Sequence, residues 1–302
     1  MTTIIRGHHD ADGITSAYFT AYGVRGSKME IWDGAFGDTT GLKAGDWMVD
    51  MKPIQNLEGL NVIDHHLPHP EDRKYNLVVS NRPEPATLLC WEYFKDSIPK
   101  DQWWKVAIGV NGDGQPELIP PEVFEEHPIL LQNWKTSIYN RYSKWTPYYV
   151  PLYKLLSSGI NALLRKHDME SAINVMRFSN TPRELLNDDK VIRAKAQVSA
   201  EFKKITETCD SYSIPYLDIY LYKSNFRMTG YVAQTMGSST DRTTMAINTQ
   251  DGSGSLRGSL SGYIKYKTRH LDYLTLDGHP GFMGMKIKVG ADVFVKDLIS
   301  IL

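Results

Sequence analysis

The stretch Thr3-Ile4-Ile5-Arg6-Gly7-His8-His9-Asp10-Ala11-Asp12-Gly13-Ile14 decides the fold. Residues 3–6 form a short apolar run of strand length, and residues 14–22 read as a helix. In an extended segment between them, His8, Asp10 and Asp12 point to one side. Gly13 then allows a tight turn into the helix. Working outward, strand-length runs recur at 29–32, 47–51, 60–63 and 76–79, with helical stretches at 85–95 and 101–110. This alternation predicts an α/β domain with a parallel sheet and its sites at the carboxyl ends of strands.

Polar clusters follow those runs directly. Asp50 ends Trp47-Met48-Val49, Asp64-His65-His66 ends Val62-Ile63, and Asp113 stands in Gly112-Asp113-Gly114 after a helix. One aspartate after a strand is ordinarily a helix cap or a turn residue. Four such groups in one α/β domain are instead read together. Carboxylates crowded at one sheet edge repel, and their pKa values rise unless cations neutralise them. Mixed carboxylate and imidazole ligands suit Mn²⁺, with Mg²⁺ as competitor. Two such ions about 3.5–4 Å apart can share a carboxylate and clamp a phosphoryl group.

Beyond residue 126 the pattern changes. Helices are expected at 152–166, 169–177 and 187–208, making a helical bridge over 127–210. From 211 the chain is strand-rich, at 214–222, 243–248, 255–260 and 285–289, with a short closing helix at 298–302. The expected domains are therefore 1–126, 127–210 and a smaller α/β domain over 211–302. The 302 residues carry a net charge of −1, which excludes a generically basic nucleic-acid coat protein. Residues 1–126 hold 20 acidic and 11 basic side chains (net −9), the remainder 15 and 23 (net +8). Hydrophobic residues at 41% and charged residues at 23% exclude a disordered chain. No apolar run approaches the ~20 residues of a membrane span. The N-terminus lacks a signal-peptide layout, and the two cysteines, Cys90 and Cys209, suggest a reducing cytoplasm.

His8-x-Asp10-x-Asp12-Gly13, Asp50, Asp64-His65-His66 and Asp113 resemble the first four motifs of the DHH phosphoesterase superfamily, named for its Asp-His-His. The resemblance implies one metal ion on His8, Asp10 and Asp50, and a second among Asp12, Asp50, His65 and Asp113, with Asp50 as bridge. Asp64 would orient a histidine ring from outside, and His66 would approach the phosphate. His9 falls at a variable position and is assigned a structural role.

A second match lies near the C-terminus. Gly254-Ser255-Leu256-Arg257-Gly258 reads as a strand with one arginine, and Asp277-Gly278-His279-Pro280-Gly281-Phe282-Met283-Gly284 as a glycine-rich loop. These resemble the substrate-binding domain of RecJ-type and oligonucleotide-degrading members, which implies phosphate contacts from Arg257, Gly278 and His279. Asp277 replaces an early glycine, and Phe282-Met283 stand where alanines are expected. Residues 134–153 are aromatic and basic and are read first as packing. A track for stacked single strands is the alternative. Arg82 is read as a solvated loop residue.

The function expected is a two-metal phosphodiesterase cutting single-stranded DNA, RNA or short oligonucleotides from an end, as RecJ-like exonucleases do. The alternatives are a phosphatase or phosphodiesterase for a small nucleotide (3′-phosphoadenosine phosphate or a cyclic dinucleotide), a pyrophosphatase or polyphosphatase, and a catalytically silent replication scaffold. No membrane partner is expected. A homodimer or a replication or repair partner is left open.

Overall fold

Ile4-Ile5-Arg6-Gly7 does form a strand in the computed structural model, β1 (Ile4–Gly7), running into helix α1 (Ala11–Gly23). Residues 2–302 are described except 35, 67–68, 80–83, 141–143, 238–241 and 280, together with the side chains of 138–140, 144–146, 277 and 279. Four more short strands follow: β2 (Lys28–Ile31), β3 (Trp47–Val49), β4 (Asn61–Ile63) and β5 (Asn76–Val78). All pair in parallel, in the order β2-β1-β3-β4-β5. Parallel strands are covered on both faces, which is why they read as apolar runs rather than alternations. Met48, Met51, Leu60, Val62 and Tyr75 form one core. Each such side chain contributes roughly 1.5–3 kcal/mol by its burial. The strand order reverses between β1 and β3, and that crevice is where ligands of open α/β sheets bind.

Helices α2 (Ala86–Phe94), α3 (Val106–Gly112) and α4 (Pro121–Glu126) complete this part. Residues 127–210 then open with a hairpin that the expected helical bridge did not include, β6 (Asn133–Asn140) and β7 (Lys144–Pro151). Its aromatic and β-branched side chains favour the pleated conformation. The expected helices follow: α5 (Leu152–Arg165), α6 (Met169–Phe178), α7 (Pro182–Asn187) and α8 (Asp189–Thr208). By backbone proximity the chain divides into one unit of residues 1–136 with 149–195, and another of 137–148 with 196–302.

The second unit is built on a six-stranded mixed sheet. The strand expected at 214–222 is two, β8 (Asp210–Ile214) and β9 (Leu217–Tyr222), reversed at Tyr216, which adopts a φ of 64°. Helix α9 (Thr229–Gly237) precedes β10 (Thr243–Asn248) and β11 (Ser253–Arg257), with α10 (Ser261–Thr268) after them. The expected glycine-rich loop is a tight hairpin instead, between β12 (Leu274–His279) and β13 (Phe282–Ile287). Its glycines allow this: Gly278 has a φ of 130°, and a Cβ there would lie 2.5 Å from the Phe282 carbonyl oxygen. The closing helix α11 (Ala291–Ile301) is longer than expected, because Phe294, Val295 and Leu298 bury one face against the sheet core. Strand order is β12-β13-β11-β10-β9-β8. No helix among the described residues is long and apolar enough to cross a membrane.

Candidate metal centre

The turn after β1 is set by two glycines. A Cβ on Gly7 would sit 2.4 Å from the Gly13 carbonyl oxygen, and one on Gly13 would sit 2.3 Å from that of His8. Only bare backbone allows so close an approach. Asp10 caps α1, its Oδ1 accepting from the Gly13 N–H at 2.9 Å, while its Oδ2 meets His8 Nδ1 at 2.8 Å. Asp12, in the first turn of α1, is buried. Its two carboxylate oxygens accept the N–H groups of Ala86 (3.0 Å) and Thr87 (2.8 Å), supplying the cap that Pro85 does not provide for α2.

Asp50 leaves β3 with a φ of 57°, in the left-handed region that a non-glycine residue occupies only when its surroundings hold it there. It is 2% exposed. Oδ1 lies 3.1 Å from His65 Nε2 and 4.0 Å from His66 Nδ1, and Oδ2 lies 3.6 Å from His8 Nδ1. That Oδ2 is buried and has no hydrogen-bond partner among the described residues. Asp113 caps the end of α3 and accepts a hydrogen bond from Gln115 Nε2 at 2.7 Å.

Asp64 is completely buried after β4. Its Oδ1 is 2.7 Å from His66 Nδ1 and its Oδ2 is 2.9 Å from His69 Nε2, and His69 Nδ1 continues to the Tyr75 hydroxyl at 2.7 Å. His69 was given no role in the sequence reading. Its signal was the spacing Asp64-His65-His66-x-x-His69. Phe36 stands edge-on to both His8 (5.3 Å) and His66 (5.0 Å), an aromatic wall with no sequence signature.

Electrostatics follow from this crowding. Burial opposes charge on His8, yet Asp10 and Asp50 raise its pKa to about 10. His65 is likewise raised to about 10, against its burial, mainly by Asp50. Burial, with Asp50 and Asp113 beside it, pushes Asp12 well above the carboxylate range. Burial lifts Asp113 to about 6, with His65 opposing and Asp50 and Asp10 adding. Asp64 is held below its ordinary value despite burial, by hydrogen bonds from His66 and His69. The ligand atoms of His8, Asp10 and Asp50 lie within 4.8 Å of one another, as do those of Asp12, His65 and Asp113, and those of Asp50, His65 and His66. Seven of the eight residues expected at the centre lie in these groups, and Asp64 reaches them through its hydrogen bond with His66. An orphaned buried carboxylate oxygen among oxygen and nitrogen donors fits a divalent cation.

In the second unit Arg257 ends β11, its guanidinium 5.1 Å from the Phe282 ring centroid. Burial lowers its pKa to about 10, and no carboxylate among the described residues lies within ion-pair distance. Gly230 of α9 makes room, since a Cβ there would lie 3.1 Å from the guanidinium. Gly278 and the backbone of His279 lie in β12, whereas the His279 side chain and Arg82 lie outside the described residues. Tyr149 is exposed, and much of the remaining aromatic-basic segment is outside the description.

No family model matches the sequence, and no curated protein matches it. Solved structures do. RecJ from Thermus thermophilus, in complex with Mn²⁺, is 16% identical with a TM-score of 0.67, the match covering 99% of this chain and 51% of that one. The chain thus spans about half the length of that relative. An exonuclease RecJ bound to manganese matches at 16% identity and a TM-score of 0.63, over 99% and 88% of the two chains. The pGpG-specific phosphodiesterase PggH from Vibrio cholerae matches at 14% identity and a TM-score of 0.54, over 99% and 98%. The α/β fold is the one these RecJ and PggH structures share, as the motifs implied.

Proposed function

We propose that this chain is a two-metal phosphodiesterase that hydrolyses single-stranded nucleic acid or short oligonucleotides from an end. The observation that carries the hydrolase reading is the pair of donor groups meeting around Asp50, whose buried Oδ2 lacks a hydrogen-bond partner among the described residues. His8, Asp10 and Asp50 would hold one divalent ion, and Asp12, Asp50, His65 and Asp113 the other, with Mn²⁺ preferred and Mg²⁺ as competitor. When bound, the ions supply Lewis-acid stabilisation of the phosphoryl charge and activation of water. The protein's own groups do the rest. Asp64 accepts the hydrogen bond of His66 Nδ1, so the phosphate contact falls to Nε2. Asp10 and Asp12 fix the loop that carries them through backbone N–H groups at the starts of α1 and α2. Arg257, a guanidinium with no ion-pair partner among the described residues, grips phosphate, with the Gly278 and His279 hairpin beside it. An intact donor set speaks against a silent scaffold. Cys90 and Cys209 form no disulfide, which supports a reducing cytoplasm.

The longer substrate is supported by charge: residues 127–210 hold 13 basic and 8 acidic side chains, a track that a phosphate chain would use. A second reading, hydrolysis of a dinucleotide, has in its favour that this chain and the pGpG-specific PggH cover 99% and 98% of each other. The test is an assay with Mn²⁺ on end-labelled single strands of graded length, beside pGpG and pyrophosphate. Stepwise laddering supports the proposal. Turnover of pGpG alone selects the second reading, and turnover of pyrophosphate alone rejects both.

A further inference from the structure

Outside the carboxylate-rich centre, a second set of metal-type donors converges. Asp33 lies just past β2, and its two oxygens meet two imidazoles: Oδ1 is 2.8 Å from His9 Nδ1 and Oδ2 is 2.6 Å from His167 Nδ1. One ligand atom from each of the three lies within 4.8 Å of the others. Neither His9 nor His167 was given a metal role from sequence, and Asp33 was not singled out. We propose that His9, Asp33 and His167 form a separate site for a single transition-metal dication of the Zn²⁺ class.

Three features of the site point that way. The donors are two nitrogens and one carboxylate, a set that suits Zn²⁺ and its borderline neighbours. The carboxylate-dominated main centre suits Mn²⁺ or Mg²⁺ instead. The His9 side chain is fully buried and makes a rigid anchor. Asp33 and His167 are 30% and 40% exposed, which leaves an entry path and room for water at the fourth position. Finally, His167 follows α5 with a φ of 58°, at the position after a helix where Gly or Asn is usual. An imidazole is held there, aimed at Asp33.

Little movement is needed. Ligand bonds of 2.0–2.2 Å in a tetrahedron place neighbouring donor atoms about 3.3 Å apart. The present nitrogen–oxygen separations of 2.6 and 2.8 Å would open by less than an ångström. The ion would take the place of the hydrogen bonds and staple the turn after α5 to the loop after β1. His9 belongs to that loop but has different partners from His8, which meets Asp10 and Asp50.

The test is a metal count. Chelator-stripped protein is dialysed against Zn²⁺ and analysed by mass spectrometry, with Co²⁺ absorption as a second readout. His167→Asn keeps a residue that tolerates positive φ, and Asp33→Asn keeps the shape of the side chain. Each should bind about one Zn²⁺ fewer per chain than wild type and lose the intense visible band of four-coordinate Co²⁺. Asp50→Ala should keep that ion and lose those of the main centre. If His167→Asn and Asp33→Asn hold as much Zn²⁺ as wild type, the cluster is a hydrogen-bonded latch and the proposal is overturned. If Asp50→Ala keeps the full count, the main-centre reading fails while this one stands.

Discussion

Replacing Asp64 by Asn tests whether the buried carboxylate positions the His66 imidazole. Asp64 binds no backbone group in this role; its two oxygens serve His66 and His69. An amide offers one acceptor oxygen where the carboxylate offers two, so one imidazole loses its acceptor and meets an N–H group instead. Hydrogen bonds to a charged group contribute roughly 1.5–3 kcal/mol each, and the surviving one drops to about 1. The expected destabilisation is therefore about 3 kcal/mol. The sign of its pH dependence is fixed by the lowered pKa of Asp64. Stability from this group is complete above the ordinary carboxylate range and is lost progressively as pH falls from there toward the depressed native value, so the gap between wild type and variant should begin to narrow from pH 5 toward 3. Loss of such an orienting partner ordinarily costs 10–100-fold in metal affinity or activity, roughly the loss expected here. Urea unfolding at several pH values and Mn²⁺-dependent turnover on a labelled oligonucleotide read both effects. A variant within twofold of wild type in turnover and Mn²⁺ affinity, with unchanged stability, would refute the reasoning.

Lys105 is fully buried, its Nζ 2.7 Å from the Tyr18 hydroxyl and 2.6 Å from Gln102 Oε1, and burial pushes its pKa down to about 7. Between that value and 10.5 the unfolded chain keeps a proton the folded one has released, so stability rises with pH. Lys105→Met should remove roughly 2 kcal/mol of that rise between pH 7 and 9, and equal slopes in urea melts would sink the idea. Ions entering the main centre must displace protons from His8 and His65, both raised to about 10. Mn²⁺ affinity should climb by up to about 100-fold per pH unit between 7 and 9, and a flat titration contradicts this. Arg257→Ala should raise KM for oligonucleotides at least about tenfold by removing a bidentate phosphate contact, with the Mn²⁺ count unchanged. Equal loss of both would withdraw Arg257 from substrate binding.

The strands of the parallel sheet were legible because strands buried on both faces are nearly continuous apolar runs, and each cluster lies directly against one. Residues 8–13, 50 and 64–66 each follow a strand end. What escaped the sequence reading is non-local. His167 and Asp33 are 134 positions apart, and no periodicity connects them. The Tyr75–His69–Asp64 chain depends on how a loop folds back. The β6–β7 hairpin was hidden for another reason: its aromatic and basic side chains read first as packing and otherwise as a stacking track, and neither reading specifies a backbone.

Four buried or half-buried carboxylates around one point repel one another, and although three of them accept hydrogen bonds of their own, Asp12 and Asp113 still sit above the ordinary carboxylate range. Asp10 takes the N–H of Gly13 at the start of α1, Asp12 takes two N–H groups at the start of α2, and Asp113 takes the Gln115 amide. Helix N-termini carry partial positive charge, so the first two compensations need no mobile ion. Asp50 is treated differently. It has no helix of its own, its backbone is held left-handed, and one oxygen points into the cluster unmatched. The strand order adds to this, because Asp50 and the His8–Asp12 loop leave the two strands between which that order reverses. The fold thus offsets part of the repulsion at Asp10 and Asp12 with helix N-termini, while Asp12 and Asp113 stay above their ordinary range and Asp50, shared by two donor groups, keeps an oxygen with no hydrogen-bond partner among the described residues. Such an arrangement is costly for a merely structural cluster, and it suits the bridging role proposed for Asp50 between two cations.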